Sequence, residues 1–341
     1  MRGIVRSGTG LMAIGLFIGA LALPAAAAPA GSVPTAYITN SLTQTVTVVQ
    51  GQWSVQNINH VGKGPVGIAV TPDHKWAYVA DYGFLNDVQS TVTPIDLTTR
   101  RPGTPIQVGT GPIAIAITPD GKYAVVTLQG TADAPGHQLV RITLATGVVS
   151  DPVEVGANPE SVAVSPDSTT AYAVAFSGAE VTPVDLTVTP PRAETPIALP
   201  SGAPRAIAVA PDGHTAYVAD AENATLIPID LGTRTVGAPV DLQCRAFGDP
   251  GCSPTSVAIT ASGDAIYIAA AGSGDVVELA LPSLRRVRVL PTGGYPDAVA
   301  LARGWLYCAN GASNNVSIFN NRKAARTPPT GPYPFGIAVV P

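Results

Sequence analysis

Charge is scarce in this sequence. Only 12% of its 341 residues are Asp, Glu, Lys or Arg, and the net charge is -4. Nucleic-acid binding needs clustered Lys and Arg to neutralise phosphates, so a charge-poor, mildly acidic chain argues against that partner. No cationic amphipathic stretch offers a membrane-surface helix. Cysteine is rarer still, with Cys244, Cys252 and Cys308 alone. No His and no second Cys pair stands at ligand spacing, so no metal site is expected. Familiar catalytic signatures are missing as well: there is no nucleophile elbow, no His-Glu-x-x-His and no phosphate loop. No cofactor is expected.

Long apolar runs are confined to one place. Arg2 and Arg6 precede the apolar stretch Leu11–Leu23, which Pro24 ends, and small residues follow from Ala25 to Ala30. This pattern reads as a secretory signal over residues 1–30, with cleavage after Ala27 or Ala30 favoured over Ala28 because Pro29 follows the latter. The run is shorter than the roughly 20 residues of a membrane span, and nothing like it recurs over 31–341. A secreted protein of the extracellular or periplasmic space is expected. In an oxidising compartment Cys244 and Cys252 form a disulfide that stiffens the short loop between them. Cys308 stands where other repeats carry Val and reads as a buried apolar residue.

Glycine (35) and proline (33) are abundant, as many short strands joined by tight turns require. They recur in a phrase, Gly-Pro-x-x-Ile-Ala-Val-x-Pro-Asp-Gly, with copies near Pro65, Pro112, Pro159, Pro204, Pro254, Pro296 and Pro334. A period of roughly 40–50 residues means stacked supersecondary units. The last copy, Phe335–Pro341, stops where the others reach their turn. The segment Thr35–Asn40 starts where the others leave it. The two ends are halves of one hairpin, so the units close into a ring. Each unit reads as four strands: Val66–Val70, Trp76–Asp81, Ser90–Leu97 and Thr104–Val108 in one copy. The expected fold is all-β, a seven-bladed β-propeller of four-stranded antiparallel blades. Residues 31–341 form one domain, closed by pairing of the C-terminal strand with the N-terminal strands.

The phrases Ala77–Asp81, Ala216–Asp220, Ala36–Asn40 and Thr93–Leu97, with the Pro-Asp-Gly turns, resemble the YVTN repeat family of bacterial secreted and surface-layer propellers. The resemblance spans essentially the whole chain after residue 30 and is specific for fold. It implies adhesion, scaffold or binding roles, or, by relation to lactonase-type and streptogramin-lyase-type propellers, an enzyme with a site on the ring axis. The fold alone does not choose among them.

Repeated residues read as structure. Asp73, Asp120, Asp167 and Asp212 follow Pro in a turn and bond their own backbone, and His74 and His214 are exposed neighbours. Asn40, Asp81, Asp220 and Asn310 share a slot at the end of the second strand and read as turn caps. The series Tyr37, Tyr78, Tyr172, Tyr217, Tyr267 and Tyr307 packs between blades.

Function is sought where the ring breaks its symmetry. The connection into each inner strand and the second-to-third strand connection open on one face, the top. Insertions at Tyr82–Gln89 and Gln129–His137 and the Cys244–Cys252 loop all fall there, as do Tyr82, Phe84, Phe176, Phe247, Tyr295, Tyr333 and Phe335. The residue after each repeat's Pro lies near the top of the axial channel: Val66, Ile113, Glu160, Arg205, Thr255, Asp297 and Phe335. An apolar arc facing a polar arc is what a small-molecule site looks like. Two functions stay open. One is a binding or interaction module, a monomer taking a small molecule or an extracellular protein or glycan on its top face. Tyr82, Phe84, Thr255, Tyr295 and Phe335 are its candidate contacts. The other is an enzyme acting on a small carbonyl compound, with Arg205 stabilising negative charge, Glu160 or His137 as base, and Asp297 in the same polar arc.

Overall fold

The computed structural model describes residues 33–51, 54–84, 87–244, 252–320 and 323–341. The expected signal lies outside them. The chain forms seven antiparallel sheets arranged as a ring. Their inner strands are Pro334–Val340, Pro65–Val70, Pro112–Ile117, Pro159–Val164, Pro204–Val209, Pro254–Ile259 and Pro296–Ala302, in blades 1 to 7. Blade 1 combines the C-terminal strand with Thr35–Asn40, Thr45–Gln50 and Ser54–Asn59. Ile38 pairs with Ile337 and Tyr37 with Ala338, so closure is made by backbone hydrogen bonds.

Inner strands are apolar at nearly every position because neighbours cover both faces, as in Pro112–Ile117. The small residue two places after each Pro answers a close approach. A Cβ on Gly67 would lie 2.6 Å from the Ile113 carbonyl oxygen of the next blade, and one on Gly336 would lie 2.2 Å from that of Val66. Where the slot holds Ser, the hydroxyl ties blades together: Ser161 Oγ accepts from the Ile207 amide at 3.4 Å, and Ser256 Oγ from the Val299 amide at 3.1 Å.

The outer strand departs from the expected continuous fourth strand. In blade 2 it is two short pieces, Arg101–Pro102 and Ile106–Gln107, both paired to the third strand. At the break the third strand carries Pro94. It has no N–H to give, and only its carbonyl is used, by the Gly103 amide. Pro183 and Pro228 stand at the same break in blades 4 and 5, and blade 3 breaks likewise at Arg141, whose carbonyl takes the Ser150 amide.

The two faces of the ring are distinct. In blade 2 the Tyr82 amide bonds the Gly64 carbonyl, so the second-to-third hairpin and the lead-in to the inner strand meet on one face, and the same bond recurs in the other blades. The Pro-Asp turns behave as expected: Asp73 Oδ1 accepts from the Thr71 hydroxyl and the Lys75 amide, and Asp120 repeats the pattern with Thr118 and Lys122. Tyr307 donates to the Pro34 carbonyl at 3.0 Å, the backbone partner expected of a buried phenol.

Two expectations are corrected. The insertions at Tyr82 and Gln129 are not loose loops but prolonged hairpins, Trp76–Phe84 with Asp87–Asp96 and Tyr123–Gly130 with Pro135–Thr143. A register shift at Gly83 and at Gly130 lets pairing continue past the usual turn. The Asn/Asp slot caps a turn only in blade 5, where Asp220 Oδ1 accepts from the Ala203, Glu222 and Asn223 amides. Asn40, Asp81 and Asn310 are fully buried and bond across to third-strand hydroxyls instead, Asp81 Oδ2 taking those of Thr91 and Thr93.

Cys244 and Cys252 are disulfide-bonded, and Cys308 is buried. Among the described residues no helix is long and apolar enough to cross a membrane.

Candidate ligand site at the axial mouth

Three tiers of variable residues ring the top of the channel. The first follows each inner-strand Pro and was read from the sequence. The second follows the Asn/Asp slot: Ser41, Tyr82, Gln129, Phe176, Ala221, Ala271 and Gly311, in blades 1 to 7. The third precedes each Pro: Tyr333, Gly64, Gly111, Asn158, Ala203, Ser253 and Tyr295. Each second-tier amide donates to the third-tier carbonyl of its own blade, which fixes the two in register. In blades 1, 2, 3 and 7 their sizes are reciprocal. Blades 2 and 3 put Tyr82 and Gln129 over glycines, whereas blade 7 puts Gly311 beneath Tyr295.

Third-tier backbone is left-handed in several blades: Gly64 has φ 54°, Asn158 58°, Tyr295 55° and Tyr333 51°. Glycine takes this conformation freely, but a bulky residue there costs on the order of 1–3 kcal/mol. Tyr295 and Tyr333 occupy it nonetheless, and Tyr333 bridges Tyr295 and Phe335 with ring centroids 6.4 Å from each.

Three charged groups stand in the first tier. Glu160, from blade 4, is 3% exposed, and its Oε1 accepts from Gln129 Nε2 at 3.0 Å. Its Oε2 and the Gln129 Oε1 have no hydrogen-bond partner. Burial pushes the Glu160 carboxyl up to about 7, against the opposing pull of the Arg205 cation and the Gln129 hydrogen bond. Arg205, from blade 5, rests its guanidinium 5.1 Å from the Phe176 ring centroid. Its Nε and Nη1 are buried without a partner. Among the described residues no ion pair within 4.0 Å joins it to a carboxylate, so Glu160 and Arg205, though on adjacent blades, do not pair directly. Asp297, from blade 7, is fully buried, and neither oxygen finds a donor. Burial raises its carboxyl well above the usual range, with Arg205 opposing. Gly311 makes room for it, since a Cβ there would lie 2.2 Å from Asp297 Oδ2 and 3.1 Å from the Tyr333 ring.

The tyrosines belong to the same electrostatic neighbourhood. Burial raises Tyr82, helped by Glu160; it raises Tyr295, helped by Asp297 and Glu160; and it raises Tyr333, helped by Asp297. Blades 1, 2, 3, 4, 5 and 7 thus converge on one polar cluster beside an apolar arc of Val66, Ile113 and Phe335. Such a cluster offers one cation, buried carboxyls held toward their neutral forms, and unused donors and acceptors.

Other predicted residues are placed elsewhere. His137 sits on the third strand of blade 3 and pairs outward with Glu154, Nε2 to Oε2 at 2.9 Å. Thr255 is fully buried and spends its hydroxyl on the Pro296 carbonyl at 2.7 Å, a strut between blades 6 and 7. Phe84 ends its strand opposite Asp87. Phe247 lies outside the described residues. Gln129, Phe176 and Tyr333 were missed as site residues. Their signal was the fixed offset from the Asn/Asp slot and from the Pro. Among the described residues no group of three or more His, Cys, Asp and Glu is placed to hold a metal.

Neither a family model nor a curated protein matches the chain. Its fold is shared with solved structures of varied description. Pseudomonas aeruginosa periplasmic gluconolactonase, PpgL, is 16% identical, with a TM-score of 0.76 over 90% of this chain and 99% of that one. Kuenenia stuttgartiensis hydrazine synthase is 23% identical, with a TM-score of 0.73 over 84% and 92%. The β-propeller domain of Myceliophteria thermophila Cps50 (Swd1) is 14% identical, with a TM-score of 0.63 over 77% and 85%. At these identities the likeness is one of fold.

Proposed function

We propose that this chain is a secreted propeller of the YVTN type that binds a small molecule in its axial mouth. One observation carries the reading. At the centre of the ring Arg205 Nε and Nη1, Glu160 Oε2, Gln129 Oε1 and both Asp297 oxygens are buried without partners. Each buried polar atom left unpaired costs about 1–3 kcal/mol, so a group of them beside one apolar arc favours a ligand that brings matching donors and acceptors. The Cys244–Cys252 disulfide fits a protein of an oxidising space. Native mass spectrometry of the protein purified from culture medium tests the reading. A small molecule should stay with the wild type and be lost from Arg205→Ala; a wild type carrying none, and gaining none from a metabolite extract, would reject it.

A second reading is favoured by the Glu160 carboxyl poised at about 7. In hydrolysis of a lactone, Glu160 would take the proton of the attacking water as its oxygen bonds the carbonyl carbon. Arg205 would stabilise the oxyanion. Neutral Asp297 would give its proton to the departing alkoxide as the ring C–O bond breaks. The P. aeruginosa gluconolactonase shares the fold and so lends this reading its substrate for a first assay. Opening of D-glucono-δ-lactone should exceed the buffer rate and gain kcat/KM as pH rises through about 7. Glu160→Gln should slow it by ~10²–10⁴ and Arg205→Ala by ~10²–10³. A rate equal to that of buffer removes this reading and leaves binding untouched.

A further inference from the structure

We propose that the occupant of the axial mouth is a small organic monocarboxylate, received as the counter-charge of Arg205 and taken up together with a proton. This rests on the small-molecule reading above and narrows it to one charge class.

The guanidinium is the centre of the inference. It lies over the Phe176 ring and not against a carboxylate, and its buried Nε and Nη1 have nothing to donate to. A partly buried cation held apart from internal anions is short of a counter-charge and of acceptors. The two carboxyls nearest in influence do not supply these directly. Asp297 is fully buried with both oxygens undonated, and Glu160 is 3% exposed with Oε2 undonated. In such surroundings the neutral acid is the favoured form of each. A neutral carboxyl is a donor, so Arg205, Asp297 and Glu160 all offer hydrogen to a ligand oxygen.

Other ligand classes fit less well. A cation would meet Arg205. A neutral polyol would leave the Arg205 charge without a counter-charge. A phosphate dianion asks for more positive charge than one Arg supplies, and no second cation appears among the charges that shift Glu160 or Asp297. A carboxylate, planar and singly charged, matches a single guanidinium.

Proton uptake follows from competition. Glu160 is faced by Gln129 of blade 3, Arg205 of blade 5, Tyr82 of blade 2 and Tyr295 of blade 7. When Glu160 ionises, it offsets the Arg205 charge from within and repels the ligand anion. Binding therefore draws Glu160 to its protonated form, and affinity falls by about tenfold per pH unit once Glu160 is ionised in the free protein.

The test uses calorimetric titration of the mature protein with two acid–amide pairs, D-gluconate with D-gluconamide and 4-hydroxybenzoate with 4-hydroxybenzamide, at pH 6 and pH 8. One acid at least should bind tenfold or more tighter than its amide at pH 6, bind about tenfold more weakly at pH 8, and lose its binding in Arg205→Ala. In Glu160→Gln the ratio of Kd at pH 8 to Kd at pH 6 should fall toward one. An amide that binds as tightly as its acid, with Arg205 needed for both, overturns the anion and leaves the small-molecule reading standing. Acid binding that ignores pH in the wild type overturns the proton uptake. If no acid and no amide binds in an Arg205-dependent way, the monocarboxylate is overturned, and the small-molecule reading is decided by the native mass spectrometry above.

Discussion

Asp81 carries a titratable charge into the body of blade 2. Its Oδ2 takes two threonine hydroxyls, its Oδ1 takes nothing, and burial pushes it from 3.8 to about 7. A native carboxyl raised in this way stabilises the fold relative to the ionised form only while it holds its proton. The advantage is complete below the unfolded value and is lost as pH rises through about 7. The whole interval corresponds to roughly 4 kcal/mol at most. Asn fills the same slot at positions 40 and 310, so Asp81→Asn should fold normally. Denaturant unfolding should show the variant gaining on the wild type between pH 4 and pH 7 and staying ahead above it. A difference that does not move with pH would contradict the burial argument. At this scale the sequence was partly legible. The Pro-Asp turns behave as read because their chemistry is local. The Asp81 slot was misread because its partners, Thr91 and Thr93, depend on cross-strand register. Gln129 escaped because its carboxylate partner lies 31 positions along the chain, in the next blade.

At the scale of elements, the insertions of blades 2 and 3 are prolonged hairpins held by backbone pairing. They were read as insertions between strands, whereas a register shift at Gly83 or Gly130 keeps the ladder running. The hairpin of blade 3 is seated by Gly111, whose carbonyl takes the Gln129 amide at 2.8 Å. A Cβ on Gly111 would lie 2.2 Å from the Gly130 carbonyl oxygen, at φ 67°. Gly111→Ala should therefore cost about 1–3 kcal/mol and disturb the Gln129–Glu160 hydrogen bond, weakening ligand binding as well. Gly147→Ala is the control, with φ 71° but nothing within 4 Å of the added carbon. It should lose a similar strain term and keep binding. Equal loss of binding in both variants would separate the hairpin from the site.

For the whole molecule, circular closure was the most legible feature, because a truncated last repeat and an incomplete first one complement each other along the chain. The Ile38–Ile337 pairing realises it. Deleting residues 334–341 should strip Phe335 from the mouth and bare the edge of Thr35–Asn40. The product should aggregate and lose its cooperative unfolding transition, whereas a monomer of native stability would contradict closure as the source of cohesion. The polar arc was legible as a list of residues and not as chemistry. That Glu160, Arg205 and Asp297 converge without pairing depends on Phe176 and Gly311, whose fixed offset gives their place in the ring but not their contacts. One measurement reaches the centre of the account: a high-resolution crystal structure of the protein purified from its native source. The account predicts a small molecule within hydrogen-bonding distance of Arg205 and Asp297. A direct Arg205 ion pair with Glu160 or Asp297, closing the mouth with no room for an occupant, would contradict it.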